Sequence, residues 1–448
     1  MLILSFNHKK ELTEILVNKK LLFLFLILSI NHCSFSKNSS FWNPVNIEKD
    51  DNKKELFKEV EITNFEINND LEITIESSKF SIDSFHNNLT NNNGRIDYEG
   101  KLKKAEKYSF RKIAKFDEYE PEIIFDKQNI IFFSNKGNIL KFDNKSKLIW
   151  KKNYYTKEEK KLNPILFFAK SKNTLIVADS VAKLYALDIK TGELLWSKNN
   201  SSAFNSEIKI YKDRFFIVDY ENILRSFHIK NGLQIWKVQT DNTIFKSQKK
   251  LSIIIKDKKV IFNNSIGDIT AVNIDSGNLQ WFVPTLKNTN SSTAYLLKMS
   301  NLVSHKDSVY FSTNMNEFYS LDINNGIINW VQNINSNLKP TIIDNIIFSI
   351  SNEGSLNILN TINGSIIRRT DLFSKFKIKK KKKIKPTGFV VGKNKIYVSL
   401  NNGRILIADV ATGKTISLLK ITKNYISRPF VSNENLFVIK NNGIIKIQ

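Results

Sequence analysis

Apolar and polar side chains alternate in short runs along most of this chain. In LYALDIKTGELLW, residues 184–196, apolar positions recur at every second residue of the first run, and Leu194 and Trp196 resume the alternation after a turn. A period of two is typical of a half-buried β-strand. Long helical periodicity is absent beyond the first 30 residues. The pattern therefore predicts an all-β chain built from short strands.

A turn of recurring composition joins each pair of runs. Asp188 precedes Gly192 by four residues, where its carboxylate accepts a hydrogen bond from the backbone two residues on and the glycine supplies the positive φ that closes the turn. The acid recurs at Asp143, Asp322 and Asp409. The glycine recurs at Gly232, Gly277, Gly326, Gly364 and Gly413. A tryptophan follows the turn at Trp150, Trp196, Trp236, Trp281 and Trp330. We expect these tryptophans to pack between neighbouring sheets, because a large flat side chain buries much apolar area.

The spacing of the turn glycines gives the architecture. Successive glycines lie 38 to 49 residues apart, and a period of about 44 residues is typical of a four-stranded propeller blade. The chain from about residue 101 to its last residue has room for eight such units, but the last unit has room for three strands only. An unpaired edge there would leave the ring open. We therefore predict an eight-bladed β-propeller of four-stranded antiparallel blades over residues 94–448, closed by a strand from residues 94–111 that pairs with residues 443–448.

The amino terminus indicates export. Lys19 and Lys20 precede a short apolar run, Leu21 to Ile30, which is too short to span a membrane and is typical of a signal peptide. We predict a signal peptide over residues 1–33. Cys33 is the single cysteine and follows this run directly. Two interpretations stay open: a lipid attachment site that holds the protein at a membrane surface, which we favour, or an ordinary thiol.

Residues 34–93 are polar and rich in asparagine. Few apolar clusters occur among them, so we expect a largely flexible tether between the signal peptide and the propeller.

Charge raises two further possibilities. The net charge is +25, from 68 Lys and Arg against 43 Asp and Glu, which invites a nucleic-acid interpretation. The lysines occur in every blade beside abundant Asn and Ile, which favours compositional drift, and we expect no nucleic-acid partner. The run Lys375 to Lys385 holds eight lysines in eleven residues. It is either a contact with anionic lipid or an acidic partner, or a solvated flexible loop.

Catalytic motifs are absent from the sequence. It contains five histidines without ligand spacing, and no G-x-S-x-G elbow, P-loop or dinucleotide glycine fingerprint. We expect no catalytic residue, no metal, no cofactor and no small-molecule substrate.

The string A-x-D-x-x-T-G-x-x-x-W, residues 186–196, resembles the repeat of pyrroloquinoline-quinone dehydrogenases and their non-enzymatic relatives. With the export signal, Cys33 and eight units, the chain resembles the BamB family, the propeller lipoproteins of the outer-membrane β-barrel assembly machine. That resemblance implies a non-catalytic periplasmic scaffold at the outer membrane, whose partners are subunits of the assembly complex. The alternatives are a quinoprotein-type dehydrogenase or an exported propeller that binds other envelope components. A dehydrogenase would need a calcium site and a quinone-stacking floor, and the vicinal cysteine pair common in such enzymes is excluded by the single cysteine.

Overall fold

The structure is a computed structural model that describes residues 65–66, 73, 75, 88–100, 102–113, 116, 118–244, 246–285 and 295–448. The predicted signal peptide, Cys33 and most of the predicted tether lie outside the described residues.

Eight antiparallel sheets form a β-propeller, which confirms the predicted fold class. Strands β3 to β30 make up blades one to seven, four consecutive strands to each blade. The strands of blades one to four are β3 (Ile124–Asp126), β4 (Asn129–Ser134), β5 (Asn138–Phe142), β6 (Leu148–Lys152), β7 (Leu166–Ser171), β8 (Thr174–Asp179), β9 (Lys183–Asp188), β10 (Leu194–Asn199), β11 (Lys209–Tyr211), β12 (Arg214–Val218), β13 (Ile223–His228), β14 (Gln234–Gln239), β15 (Ile253–Lys256), β16 (Lys259–Asn263), β17 (Ile269–Asn273) and β18 (Leu279–Val283). The strands of blades five to seven are β19 (Val303–His305), β20 (Ser308–Thr313), β21 (Glu317–Asp322), β22 (Ile328–Gln332), β23 (Thr341–Ile343), β24 (Ile346–Ile350), β25 (Ser355–Asn360), β26 (Ile366–Asp371), β27 (Pro386–Val391), β28 (Lys395–Leu400), β29 (Arg404–Asp409) and β30 (Thr415–Lys420).

Blade eight closes the ring by combining one strand that precedes blade one with three strands that follow blade seven. Strands β31 (Phe430–Ser432), β32 (Asn435–Lys440) and β33 (Gly443–Ile447) are joined by β2 (Lys104–Ser109), which pairs antiparallel with β33. The register places Lys107 opposite Ile445 and Ser109 opposite Gly443. The predicted closure of the ring is therefore confirmed.

The first strand of each blade lines the axis. First strands of adjacent blades contact one another, as β7 and β15 do with β11. Because consecutive strands alternate in direction, the connections between blades lie at one end of the ring, here called the connection end. The turns between first and second strands lie at the opposite end, called the turn end.

The apolar core lies between the sheets. The second and third strands are almost wholly buried, as in β8 and β9. Ile176 and Ala186 of blade two belong to one apolar cluster with Phe215 and Ile217 of blade three. Each blade is thus stabilised mainly by its neighbours, as the repeat pattern implies.

Four short elements of the described chain are named separately because they lie outside this plan. Helix α1 (Lys157–Lys161), capped by Thr156 and Glu159, connects blades one and two, and helix α2 (Ile378–Lys381) connects blades six and seven. A 3-10 turn spans Asn135–Gly137. Strand β1 (Phe65–Glu66) pairs with the outer edge of β26 and makes blade six five-stranded. In the described part of the chain no helix is both long and apolar enough to cross a membrane.

Candidate interaction surface

The repeated turns have the geometry that their sequence implies. The six turn glycines adopt φ between 63° and 77°, namely Gly192, Gly232, Gly277, Gly326, Gly364 and Gly413. The carboxylate of Asp188 accepts hydrogen bonds from the backbone N–H of Lys190 (2.8 Å) and Thr191 (2.9 Å). Asp322 accepts from Asn324 (2.7 Å), and Asp409 accepts from Thr412 (2.7 Å), one residue further along than expected.

Each repeat tryptophan lies against the turn glycine of the following blade. A Cβ added at Gly232 would come 2.5 Å from the indole of Trp196, and the same contact joins Trp150 to Gly192, Trp236 to Gly277, Trp281 to Gly326 and Trp330 to Gly364. Four indoles also donate a hydrogen bond to a carbonyl three residues before that glycine; these are Trp196 to Ile229 (2.9 Å), Trp236 to Ile274 (3.3 Å), Trp281 to Ile323 (3.0 Å) and Trp330 to Thr361 (3.1 Å). The turn of one blade therefore rests on the outer strand of the blade before it.

Blades one and six lack the indole hydrogen bond for different reasons. In blade one, Lys141 donates to the equivalent carbonyl, that of Ile189 (2.8 Å), and the buried Trp150 Nε1 has no partner among the described residues. In blade six, Arg368 replaces the tryptophan, and its guanidinium donates to the carbonyl of Ala411. Gly413 then packs on Thr370.

A band of exposed aliphatic residues follows the outer strands. These residues lie in the outer strands or directly before them and belong to six blades: Leu148, Ile149, Leu194, Leu195, Leu233, Leu279, Ile327, Ile328, Ile416 and Leu418. Leu195, for example, is 54% exposed. Of the outer strands in blades one to seven, only β26 has a further described strand on its outer edge. We call the free strand edges and the aliphatic residues together the outer-strand surface.

Asparagine side chains fill the axis of the ring at its turn end. The segment begins at Asn88 and passes the first strands of blades three to seven in order. It ends at Ile96, whose N–H donates to the carbonyl of Val391. The amide of Asn91, 5% exposed, donates to the carbonyls of Leu302 (3.0 Å) and Ile253 (3.2 Å). We call residues 88–96 the axial segment.

The next two asparagines of the axial segment are also held by side-chain hydrogen bonds. Asn92 accepts from the N–H of Ile342 (3.1 Å) and donates to the carbonyl of the same residue (3.0 Å), as a pairing strand would. Asn93 accepts from Lys339 (3.0 Å). Residues 88–93, which the sequence assigned to the flexible tether, are packed inside the ring.

Paired charges lie beside the axial segment. Lys209 contacts Glu207 (2.8 Å) and donates to Asn88 O (3.0 Å) and Asn91 Oδ1 (2.5 Å). Burial by itself raises the pKa of Glu207, but Lys209 and Lys250 together outweigh that effect, so the pKa lies below its ordinary value. Glu122 contacts Lys250 (3.1 Å) and Arg428 (2.9 Å), and these cations likewise overcome burial and lower its pKa. The axial carboxylates are therefore ionised and engaged by cations.

A groove lies at the connection end. Residues 118–122 cross this end, and Lys250 donates to the carbonyl of Glu120 (3.0 Å). The groove beside them has a volume of about 660 Å³ and is lined in part by Tyr119, Phe167, Phe204 and Tyr220. Among the described residues, no three His, Cys, Asp or Glu side chains are grouped so that they could hold a metal ion.

Comparisons with known proteins point to one family. A family model described as outer membrane protein assembly factor BamB matches residues 135–370, more than half of the chain. Among curated proteins, none matches the chain in sequence.

Solved structures share the fold. BamB from Moraxella catarrhalis is similar with a TM-score of 0.62 at 16% identity, covering 77% of this chain and 99% of that one. A europium-containing methanol dehydrogenase has a TM-score of 0.62 at 10% identity, covering 79% and 88%. The quinohemoprotein alcohol dehydrogenase from Comamonas testosteroni has a TM-score of 0.57 at 11% identity, covering 79% and 78%. At such identities the likeness shows the fold alone.

Proposed function

The chain belongs to the family of outer membrane protein assembly factor BamB, and from this we propose that it is a non-catalytic periplasmic scaffold that binds other subunits of the outer-membrane β-barrel assembly machine. In this proposal residues 1–33 direct export, and a lipid on Cys33 holds the protein at the periplasmic side of the outer membrane. The propeller acts as a rigid binding platform.

The outer-strand surface carries the proposal. A free strand edge offers unpaired backbone N–H and C=O groups to an extended segment of a partner, and nearby apolar side chains add contact area. Phe65–Glu66 already pairs with the outer edge of blade six in this manner. The same mode of binding is therefore open to a partner at other blades.

The axial residues favour a scaffold over a quinoprotein dehydrogenase. A dehydrogenase of this fold class would place calcium and quinone in the molecule, and calcium requires several oxygen ligands. Glu122 and Glu207 are instead bound by Lys250, Arg428 and Lys209. These residues do not fit a calcium site, so we derive no redox step from them.

Capture of partners from envelope extracts tests the proposal. We expect the purified chain to retain barrel-assembly subunits, and we expect Leu194→Asp with Leu195→Asp to reduce that capture. Leu162→Asp is the matched control, because Leu162 is 67% exposed but lies outside the outer strands. Capture of no assembly subunit by the wild-type chain contradicts the assembly role. Equal capture by the two variants contradicts the site at blade two.

A further inference from the structure

The positive charge of the protein is concentrated in one blade. Residues 372–429, which comprise blade seven and its flanking connections, contain fifteen Lys and Arg and a single acid, Asp409. They carry +14 of the net +25 of the chain. Lysines occur in every blade, as the sequence shows, but an even spread does not account for this excess.

The lysine run within that blade is an anchored element. Phe376 packs against Phe373 with ring centroids 5.7 Å apart, and Ile384 is buried in the core between blades six and seven. Lys381 forms an ion pair with Asp371 (2.7 Å). At the end of the run, Asn401 donates to Lys383 O and accepts from Lys385 N, each at 3.0 Å. The segment is thus fixed at both ends and at its centre.

Anchoring presents one face of the run to solvent. Lys379, Lys380, Lys382 and Lys383 are exposed, and Ile378 in their midst is 73% exposed. An apolar side chain surrounded by exposed lysines combines the two attractions that hold a protein at an anionic bilayer, namely Coulomb attraction and insertion of apolar area.

From this arrangement we infer that the run Lys375 to Lys385 docks blade seven on an anionic phospholipid surface. The run has no arginine, whereas recognition of a carboxylate on a protein favours the bidentate guanidinium. Phe376, within the run, and Phe373, two residues before it, pack towards the protein, whereas single-stranded nucleic acid is bound by exposed aromatic rings. Lysine ammonium groups attract anions without a fixed bonding geometry, which suits the mobile headgroups of an anionic lipid layer.

Vesicle binding tests this inference. The full chain is mixed with phosphatidylcholine vesicles that contain or lack phosphatidylglycerol, and the bound fraction is measured by flotation. The apolar segment from Leu21 to Ile30 is present in every sample, so the readout is the ratio between the two vesicle types. We expect tighter binding to vesicles with phosphatidylglycerol and loss of that preference at high salt.

Two sets of variants locate the contact. Changing Lys379, Lys380 and Lys383 to Gln should weaken binding on the order of 100-fold. The matched control changes Lys157, Lys160 and Lys161 to Gln, which removes the same charge from helix α1 in another connection between blades, and should have little effect. Ile378→Ser should weaken binding about tenfold without a change in charge. Thermal unfolding of each variant shows whether it is folded.

Three outcomes overturn the inference. They are a wild-type chain without preference for phosphatidylglycerol, equal losses in the two triple variants, and an Ile378→Ser variant that binds as the wild type does. The first result would assign the lysines to an acidic protein instead. Because partner capture from envelope extracts is measured without vesicles, failure here is distinguishable from failure of the assembly role.

Discussion

The indole of Trp281 lies so close to Gly326 that a Cβ on Gly326 would come within 2.8 Å of the ring. Gly326 is left-handed, with φ at 77°, and its turn also supplies the carbonyl of Ile323 to the indole N–H. A tryptophan in one blade therefore fixes the turn of the next, and this contact recurs around much of the ring.

We predict that Gly326→Ala lowers the free energy of unfolding by about 3 kcal/mol, because it adds a steric clash to the strain of a left-handed alanine. Gly94→Ala is the control. Gly94 is also left-handed, but no atom lies within 4 Å of its added Cβ, so it should lose only about 1 kcal/mol. Urea unfolding measures the free energy of unfolding of both variants. Equal losses would show that the clash with the indole does not destabilise Gly326→Ala.

Removal of the Asn91 amide should loosen the axial segment. Asn91→Gly keeps a left-handed residue, since φ is 58°, but leaves Lys209 and two buried carbonyls without this partner. We expect a loss of about 2 to 4 kcal/mol and faster hydrogen exchange at the N–H groups of Ile255 and Ser304, which donate to Leu89 and Thr90.

The control for this variant is Asn316→Gly. Asn316 has a similar φ of 65° and is exposed in a turn, so its loss should stay within about 0.5 kcal/mol. Unchanged exchange at Ile255 and Ser304 in Asn91→Gly would mean that Asn91 does not hold the segment.

Low pH should destabilise the charged residues packed beside the axial segment. The pKa values of Glu122 and Glu207 are lower in the folded protein than their ordinary value, because Lys and Arg side chains outweigh burial. Such carboxyls stabilise the fold above an unfolded pKa of about 4.3, and that contribution is lost as the pH falls through this value towards the folded pKa. We expect the urea midpoint to fall steeply below about pH 5.

Glu207→Gln tests the origin of that pH dependence. At neutral pH this variant should lose about 3 kcal/mol, because Lys209 stays buried without its counter-ion, and its stability should vary less with acid. Glu158→Gln, at an exposed position of α1, should match the wild type. If the urea midpoint of Glu207→Gln falls with pH in parallel with that of the wild type, Glu207 is not the source of the acid sensitivity.

Lipid attachment remains a prediction, since Cys33 lies outside the described residues. Cells that express the wild-type chain with a radioactive fatty acid should label it, and Cys33→Ser should abolish the label, because the thiol is the site of acylation in this proposal. Equal labelling of both chains contradicts a lipid on Cys33.

Local patterns in the sequence predict the blades but not the content of the axis. The turn at Gly192 and the position of Trp196 follow from short-range spacing, and ring closure follows from counting strands. Asn91 lies in a stretch that reads as a linker, and its partners, Ile253 and Leu302, are 162 and 211 residues away. No spacing along the chain marks such a contact.

The same limit applies to exceptions within the repeat. The sequence shows that Arg368 stands where other blades have tryptophan, but not that its guanidinium still reaches a carbonyl of the next blade. It also gives the number of lysines in the run from Lys375 to Lys385, whereas the direction in which Phe376 and Ile378 face depends on the packing of blades six and seven.

The pairing of β2 with β33 sets an order of events during synthesis. A ribosome produces β2 before blades one to seven and β33 after them, so the early strand waits with an open edge until those blades have emerged. A polypeptide that stops before Gly443 leaves β2 without this partner and cannot seal its circle. Prematurely terminated copies are thus marked by an exposed edge that proteases and chaperones can recognise.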